Sequence, residues 1–163
     1  MRRVLVTGMS GTGKSSALAE LGRRGFRVVD TDLPGWNEWR GDGWSWREAR
    51  IAELLATEDG RTLYVSGCVS NQGRFYDRFD AVVLLSAPAG VILERIAGRT
   101  TNDYGKSAAE RELVLRHLAE VEPRLRATCT HELDASRPLV EVVEALVAIG
   151  SYGTSVSRPV RTS

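Results

Sequence analysis

The glycine-rich stretch Gly8-Met9-Ser10-Gly11-Thr12-Gly13-Lys14-Ser15 matches the pattern G-x-x-x-x-G-K-[ST] at every defined position. It follows an apolar run and precedes a helical pattern, which is the context that a phosphate-binding loop requires. Backbone N–H groups of such a loop point at phosphate oxygens, while Lys14 would reach the β- and γ-phosphates and Ser15 would hold Mg²⁺. The alternative is a glycine-rich turn that binds nothing. The candidate nucleotide-binding residues here are Gly8, Ser10, Gly11, Thr12, Gly13, Lys14, Ser15 and Ser16.

Two carboxylates, Asp30 and Asp32, stand at the end of the second predicted strand. Ligands bind at the carboxyl edge of a parallel sheet, so this pair is expected to face the phosphate loop. Asp30 can hold a water molecule on Mg²⁺, and Asp32 can accept a proton from a hydroxyl that attacks phosphorus. The alternative is a loop aspartate that only makes a turn with its own backbone.

Composition restricts the class of protein. The chain has 163 residues, of which 42% are hydrophobic and 26% charged, so it can form one domain with a full core. A net charge of +1 gives no electrostatic reason to expect nucleic acid or an anionic membrane as partner. The two cysteines and two histidines lack metal-ligand spacing. With no leader pattern and no membrane-spanning stretch, we expect a cytoplasmic, magnesium-dependent protein rather than one built around a metal.

Short β-branched runs alternate with helical patterns, which is typical of a parallel sheet with crossover helices. The predicted strands are residues 4–7, 27–29, 63–66, 81–85 and a short one around 131–133. Helices are predicted from Lys14 to about Arg24, after the capping box Ser45–Glu48, after Pro88, after the capping box Ser107–Glu110, and from Pro138 to Ile149.

Three further segments are expected to depart from this regular pattern. Residues 34–44 show no clear periodicity and lie between a strand and a helix. The long helix after Ser107 is expected to bend near Pro123, which cannot continue the hydrogen-bond ladder. Residues 151–163 are predicted to form a disordered tail.

The order of these features resembles the shikimate kinase family. The resemblance rests on Gly8–Ser15, on Gly25-Phe26-Arg27-Val28-Val29-Asp30-Thr31-Asp32 and on Ser66-Gly67-Cys68. More broadly, the chain is similar to the gluconate, nucleoside-monophosphate and antibiotic kinases of the same P-loop scaffold, over about residues 2–149. The resemblance implies an α/β fold, the three-layer P-loop NTPase fold. Its five-stranded parallel sheet has the order 2-3-1-4-5, is flanked by helices and carries a lid. It also implies ATP and Mg²⁺.

The resemblance gives roles to residues outside the phosphate loop. Arg95 matches the position that stacks on adenine, and Arg99 the one that reaches the phosphates, where a guanidinium would neutralise charge on the transferred group. The alternative is a pair of solvated arginines one helical turn apart. Arg111 lies at the far end of the lid. Ser136, Arg137 and Pro138 fall where the family wraps the adenine.

The chain also departs from the shikimate kinase pattern. Gly67-Cys68-Val69 replaces a run of three glycines, and Glu120-Val121-Glu122 stands where the family has an arginine that grips the substrate carboxylate. An acidic patch would repel that carboxylate, so shikimate is not the expected substrate. The third strand ends in Ser66 rather than aspartate, which leaves Asp30 to supply the acidic metal contact.

A pocket for the phosphoryl acceptor is expected after the second and third strands. Its candidate lining residues are Trp36, Trp39, Arg40, Trp44, Gly67, Asn71, Gln72, Arg74 and Tyr76, besides Asp32. Aromatic faces suit a flat ring or a sugar face, and the two amides suit a polyol or a nucleobase edge. The alternative for each tryptophan is a small satellite core.

These patterns predict an ATP- and Mg²⁺-dependent phosphotransferase that moves the γ-phosphate to a hydroxyl of a small metabolite, nucleoside or antibiotic. Lys14, Asp32 and Arg99 are its predicted catalytic residues, with Ser15 and Asp30 at the metal. A nucleoside-monophosphate kinase stays open because of Arg40, Arg47, Arg50 and Arg74, as does a regulatory ATPase without a small-molecule acceptor. We expect a kinase domain over residues 1–150, with an acceptor lobe at about 33–60 and a lid at about 99–111, as a monomer or weak dimer.

Overall fold

Five parallel strands form the centre of the computed structural model, which describes residues 1–100 and 102–151. In chain order the described residues form seven strands, of which β3 and β4 lie outside this sheet: β1 (Arg3–Thr7), β2 (Arg27–Asp30), β3 (Asn37–Trp39), β4 (Trp44–Trp46), β5 (Leu63–Ser66), β6 (Ala81–Ser86) and β7 (His131–Asp134). The large sheet has the order β2-β5-β1-β6-β7, and all its pairs are parallel. Without β3 and β4, which pair only with each other, this is the order 2-3-1-4-5, so the prediction is confirmed.

Helices cover both faces of this sheet. They are α1 (Lys14–Arg23), α2 (Glu48–Ala56), α3 (Ala89–Gly98), α4 (Ala108–Glu120), α5 (Glu122–Thr128) and α6 (Leu139–Ser151), and a 3-10 helix spans Gln72–Arg78. Strand side chains alternate between faces. Val4 and Val6 therefore pack with α1 and α6, whereas Leu5 packs with α2 and the 3-10 helix. The three-layer α/β fold expected from the sequence is present.

The segment between β2 and α2 corrects one prediction from the sequence. Ser45 does not cap a helix, because residues 44–46 form β4 in an antiparallel hairpin with β3. The helix begins at Glu48 with Arg47 as its N-cap, and the Ser45 hydroxyl instead lies 2.8 Å from that of Ser70. Burial of the adjacent Trp46 and pairing across the hairpin outweigh a single capping bond.

The second predicted capping box forms the hydrogen bond to the Ser107 side chain, but the Glu110 side chain has a different partner from the one expected. The Ser107 hydroxyl accepts a hydrogen bond from the Glu110 N–H at 3.2 Å, but the Glu110 carboxylate accepts from the Gly105 N–H at 2.7 Å. The expected bend near Pro123 is a full break between α4 and α5, with Pro123 in the first turn of α5, where its missing N–H costs no hydrogen bond.

The end of the described chain is helical. Helix α6 runs to Ser151, and the rest of the predicted disordered tail, residues 152–163, lies outside the described residues. None of the helices in the described part combines the length and apolar character needed to cross a bilayer.

We predict that Gly150→Ala destabilises the fold. A Cβ at Gly150 would lie 2.1 Å from the Oη atom of Tyr64, which is fully buried and donates a hydrogen bond to the Leu146 carbonyl. Overpacking of this kind costs about 1–3 kcal/mol, which urea denaturation will measure. Gly90→Ala is the matched control, because that helical glycine has no atom within 4 Å of the added Cβ. Equal stability of the two variants would contradict the prediction.

Candidate active site

The phosphate loop is built directly against its neighbours. Gly8 has a φ of 149°, and a Cβ there would lie 2.4 Å from the Leu85 carbonyl oxygen at the end of β6. Gly11 has a φ of 86°, and a Cβ there would lie 3.0–3.1 Å from Ile96 and Ile92 of α3. Only glycine combines these backbone angles with this close packing. The loop shape is therefore fixed by the sheet on one side and by α3 on the other.

Lys14 folds across the loop that precedes it. Its ammonium group donates hydrogen bonds to the carbonyls of Gly8 at 2.7 Å and Met9 at 3.1 Å, and the residue is 8% exposed. The Thr12 hydroxyl donates to the same Met9 carbonyl at 2.8 Å. An ammonium has three N–H donors, so one remains for a phosphate oxygen. The loop thus presents a fixed positive charge together with the N-terminus of α1.

Ser15 and Asp30 meet at the carboxyl edge of the sheet. The Ser15 hydroxyl donates to Asp30 Oδ2 at 2.6 Å. The other oxygen, Oδ1, accepts from the Asp32 N–H at 3.0 Å, which is an Asx-turn. Asp30 therefore makes the turn that the alternative expected and also contacts the phosphate loop, while its role at a metal stays a prediction.

The second carboxylate, Asp32, is exposed at the surface of the site, whereas Asp30 is half-buried. Desolvation raises the pKa of Asp32, and the charge of Asp30 raises it further, while Lys14 opposes the shift. A carboxylate with a raised pKa takes up a proton more readily and suits the role of a general base. The role of Asp32 in proton transfer stays a prediction.

Arg99 connects the segment after α3 to the phosphate loop. Its guanidinium donates to the Ser10 hydroxyl at 3.3 Å, to the Tyr104 carbonyl at 2.6 Å and to the Asn102 carbonyl at 3.0 Å. Because each nitrogen has a partner, the planar group is held in one orientation. Asn102, which the sequence did not single out, thereby helps to position it.

Arg95 and Arg137 line the same space, close to Asp134 at the end of β7. The Asp134 carboxylate accepts two hydrogen bonds from Ser136, and these contacts hold its pKa below the ordinary value, with Arg137 and Arg95 adding to the effect. This corner combines two guanidinium groups with the apolar side chains of Leu139 and Val142. Such a mixture suits an aromatic base on a phosphate chain.

One cavity of about 940 Å³ joins these groups. It is lined by Ser10, Gly11, Thr12, Gly13, Lys14, Ser15, Ser16, Ala19, Asp30, Asp32, Leu33, Arg95, Arg99, Asn102, Ala135, Arg137, Leu139 and Val142. Most of the nucleotide, metal and catalytic residues named from the sequence are therefore together. Gly8 shapes the loop beneath, whereas Pro138 and Arg111 are not on the cavity wall.

Apart from Asp32, the residues predicted to contact the acceptor are not part of that wall. Gln72 is 3% exposed; its amide donates to Thr7 Oγ1 at 3.0 Å and Tyr76 Oη at 2.9 Å and accepts from the Val69 N–H at 3.0 Å. Asn71 binds both backbone polar groups of Trp46, at 2.8 and 3.0 Å. Their predicted contact with an acceptor stays a prediction, and their present partners are internal.

The other residues predicted to contact the acceptor lie on or near the β3–β4 hairpin. Trp39 and Trp44 are each 58% exposed and meet edge to face with ring centroids 5.6 Å apart. Trp36 lies beneath the Arg50 guanidinium at 4.1 Å. Arg40 pairs with Glu38, Arg74 pairs with Glu48, and Gly67 lies against Thr31 and Trp46.

The comparison with known families follows from this geometry. An AAA domain family model matches residues 4–116. The chain belongs to the AAA domain family. No curated protein matches the sequence of this AAA domain.

Solved structures show the same fold for this AAA domain over almost its whole length. It is similar to shikimate kinase from Bacteroides thetaiotaomicron at 18% identity and a TM-score of 0.68, covering 91% of this chain and 97% of that chain. A gluconokinase from Sinorhizobium meliloti 1021 gives 23% identity and a TM-score of 0.62, covering 91% and 90%. Deoxyadenosine kinase from M. mycoides gives 13% identity and a TM-score of 0.59, covering 91% and 98%. The fold is that of P-loop small-molecule kinases, as the sequence predicted.

We predict that Lys14→Ala lowers the affinity of this AAA domain for a fluorescent ATP analogue by roughly 10- to 100-fold. A hydrogen bond to a charged group is worth about 1.5–3 kcal/mol, and Lys14 is the cation within the loop. Arg61→Ala is the control, because Arg61 pairs with Asp59 just before the amino end of β5, outside the cavity wall. Unchanged affinity in a folded Lys14→Ala protein would contradict the assignment.

Proposed function

We propose that this chain is an ATP- and Mg²⁺-dependent phosphotransferase that moves the γ-phosphate to a hydroxyl of a small metabolite, nucleoside or antibiotic. The observation that supports it best is the 2.6 Å contact between Ser15 and Asp30 beside the phosphate loop. Asp32 and Arg99 line the same cavity. A base and a fixed cation next to a phosphate-binding loop are the groups that phosphoryl transfer to a hydroxyl requires.

The residues at this position suit magnesium. Mg²⁺ prefers oxygen ligands and is usually held by one or two protein groups together with phosphates and water. Ser15 and Asp30 supply a hydroxyl and a carboxylate, and the described residues hold no cluster of three or more histidine, cysteine or acidic side chains that would form a metal site of its own. When bound, the ion would neutralise charge on the phosphates.

Asp32 is the proposed base for the acceptor hydroxyl. It lies on the cavity wall beside Leu33, which is 59% exposed, so an acceptor that enters from solvent meets the carboxylate. Desolvation raises the pKa of Asp32, which favours proton uptake, while the charge of Lys14 opposes that shift. Asp32 would orient the hydroxyl and take its proton as the new bond to phosphorus forms.

Lys14 and Arg99 are the proposed electrostatic groups. Lys14 is held by loop carbonyls, and Arg99 by carbonyls of Asn102 and Tyr104, so neither has to be reorganised when charge moves. We further propose that residues 99–111 act as a lid and residues 33–60 as the acceptor lobe of a kinase domain that spans residues 1–150.

Two of the four arginines near the hairpin favour a hydroxyl over a monophosphate as acceptor. Arg40 and Arg74 pair with Glu38 and Glu48. A phosphate acceptor would need a guanidinium without a carboxylate partner, because an unpaired dianion in a closing pocket is costly. Arg47 and Arg50 donate only to the neutral backbone carbonyls of Asn37 and Gly35, so they keep a nucleoside-monophosphate kinase as an alternative.

A regulatory ATPase without a small acceptor is the second candidate. The observation that favours it is the internal bonding of Gln72 and Asn71, whose side chains hold Thr7, Tyr76 and Trp46. Under this alternative the cavity would bind nucleotide, and water would be the only acceptor.

A coupled ADP-release screen distinguishes the two functions. Purified protein with MgATP is assayed against nucleosides, nucleoside monophosphates, sugars, polyols, shikimate and aminoglycosides, with Lys14→Ala as the blank. We expect at least one hydroxyl compound to raise ADP release and to gain a phosphate by mass spectrometry. The Lys14→Ala blank should lose a factor of about 10²–10³ in that rate. ADP release that no acceptor stimulates would favour the regulatory ATPase.

We predict that Asp30→Asn and Asp32→Asn impair two different steps, namely Mg²⁺-dependent nucleotide binding and acceptor phosphorylation. Asp30→Asn should weaken the Mg²⁺ dependence of nucleotide binding, because it removes the charge beside Ser15. Asp32→Asn should leave nucleotide binding near the wild-type value but slow acceptor phosphorylation by about 10²–10⁴-fold, since it removes the base. Separate titrations of nucleotide and Mg²⁺, followed by turnover assays, test both variants. If both variants behave like the wild-type protein, Asp30 and Asp32 only form the turn.

A further inference from the structure

Thr31 lies between the two carboxylates and has no solvent exposure. Its hydroxyl donates to the Ser66 carbonyl at 2.7 Å and accepts from the indole N–H of Trp46 at 2.8 Å. Its backbone N–H also donates to Ser66 at 3.0 Å, and its carbonyl accepts from the Asn37 side chain at 2.7 Å. Every polar group of Thr31 is therefore hydrogen-bonded, to β5 on one side and to the hairpin on the other.

Trp46 is fixed at the other end of that contact. It is fully buried, packs edge to face against Phe75 at 5.9 Å, and has both backbone polar groups bound by Asn71. Its indole therefore points at Thr31 from a rigid platform. A buried N–H without an acceptor is destabilising, which keeps the two side chains together.

Gly67 shows how closely this point is packed. A Cβ at Gly67 would lie 2.3 Å from Thr31 Oγ1 and 3.2 Å from the Trp46 ring. Three segments therefore meet here without free space between them: β4, the end of β5 and the turn after β2. A rearrangement at any of the three positions has to move Thr31.

Asp30 depends on the position of Thr31. Its Oδ1 atom accepts from the Asp32 N–H at 3.0 Å, so the turn that contains Thr31 also fixes the carboxylate rotation. The same rotation places Oδ2 2.6 Å from the Ser15 hydroxyl. Groups that orient a metal ligand typically change metal affinity 10- to 100-fold when they are removed.

We propose that Thr31 and Trp46 are positioning residues that hold the Asp30 carboxylate against Ser15, which makes the β3–β4 hairpin part of the metal-binding end of the site. This inference rests on the proposed function, because it concerns the group that holds magnesium there. The hairpin is thus more than a lobe for the acceptor. Its innermost residue sets the geometry of the acid next to the phosphate loop.

The test compares ADP binding with and without magnesium. The dissociation constant of a fluorescent ADP analogue is measured in EDTA and in excess Mg²⁺, and their ratio is the magnesium dependence. Thr31→Val keeps the side-chain shape and removes the hydroxyl, while Trp46→Phe keeps a buried ring and removes the N–H. We expect roughly a tenfold fall in the ratio for both, with the affinity in EDTA unchanged.

Two controls separate positioning from simple stability. Thr31→Ser keeps the hydroxyl and should restore the wild-type ratio. Ser45→Ala removes another buried hairpin contact, the one to Ser70, and should lower the melting temperature without changing the ratio. Circular dichroism and thermal melts are recorded for all four variants.

The experiment distinguishes failure of the inference from failure of the proposed function. A wild-type ratio that persists in folded Thr31→Val and Trp46→Phe overturns the inference alone. Failure of both variants to fold also overturns it, because the contact would then serve the fold rather than the carboxylate. A ratio near one in the wild-type protein overturns the magnesium-dependent function itself, and the inference with it.

Discussion

The contact between the Ser15 hydroxyl and the Asp30 carboxylate joins two parts of the chain that the sheet has to bring together. Strand β5 lies between β1 and β2, and its residue Ser66 is in register with both Val6 and Asp30. These strands therefore end at one level, directly beside the phosphate loop. A shift of one residue in β2 would turn the Asp30 side chain to the opposite face. The strand register thus decides whether a site exists.

Charge balance links the loop and the acids in a second way. Lys14 is 8% exposed, and a cation at that depth is stable only with nearby oxygen atoms. The carbonyls of Gly8 and Met9 supply direct partners, and Lys14 in turn lowers the pKa of Asp32 against the effect of desolvation. Loss of the Asp32 carboxylate would therefore change the electrostatic environment of the lysine as well as the site.

The sequence predicted those features that depend on local chemistry or on the period of the strands. The phosphate loop and the cap at Ser107 follow from residue types at fixed spacing, whereas the sheet order was implied by the resemblance to the shikimate kinase family. The hairpin at residues 37–46 was missed, because its strands are three residues each and show no alternation long enough to recognise. The sequence alone also does not distinguish the buried Trp46 from the exposed Trp39 and Trp44.

The site shows the same division between local and long-range information. Asp30 and Asp32 could be placed beside the loop because the end of a parallel strand has a known position. The internal partners of Gln72 could not be foreseen, since Thr7 lies on β1 and only the folded chain brings its hydroxyl within 3.0 Å. Thr31 escaped notice for a related reason. The sequence shows a hydroxyl between two aspartates, but it does not show that this hydroxyl accepts a hydrogen bond from the indole of Trp46 in the hairpin.

The closed base of the hairpin limits what a change at its tip can affect. Asn37 is paired with Trp46, and the Arg47 N–H donates to the Trp36 carbonyl at 2.7 Å, so the two ends of the insertion are tied together before the tip begins. Residues 40–43 can therefore change in length or composition without moving the base. A change at this tip would alter an exposed recognition surface while Trp46 beneath it stays buried.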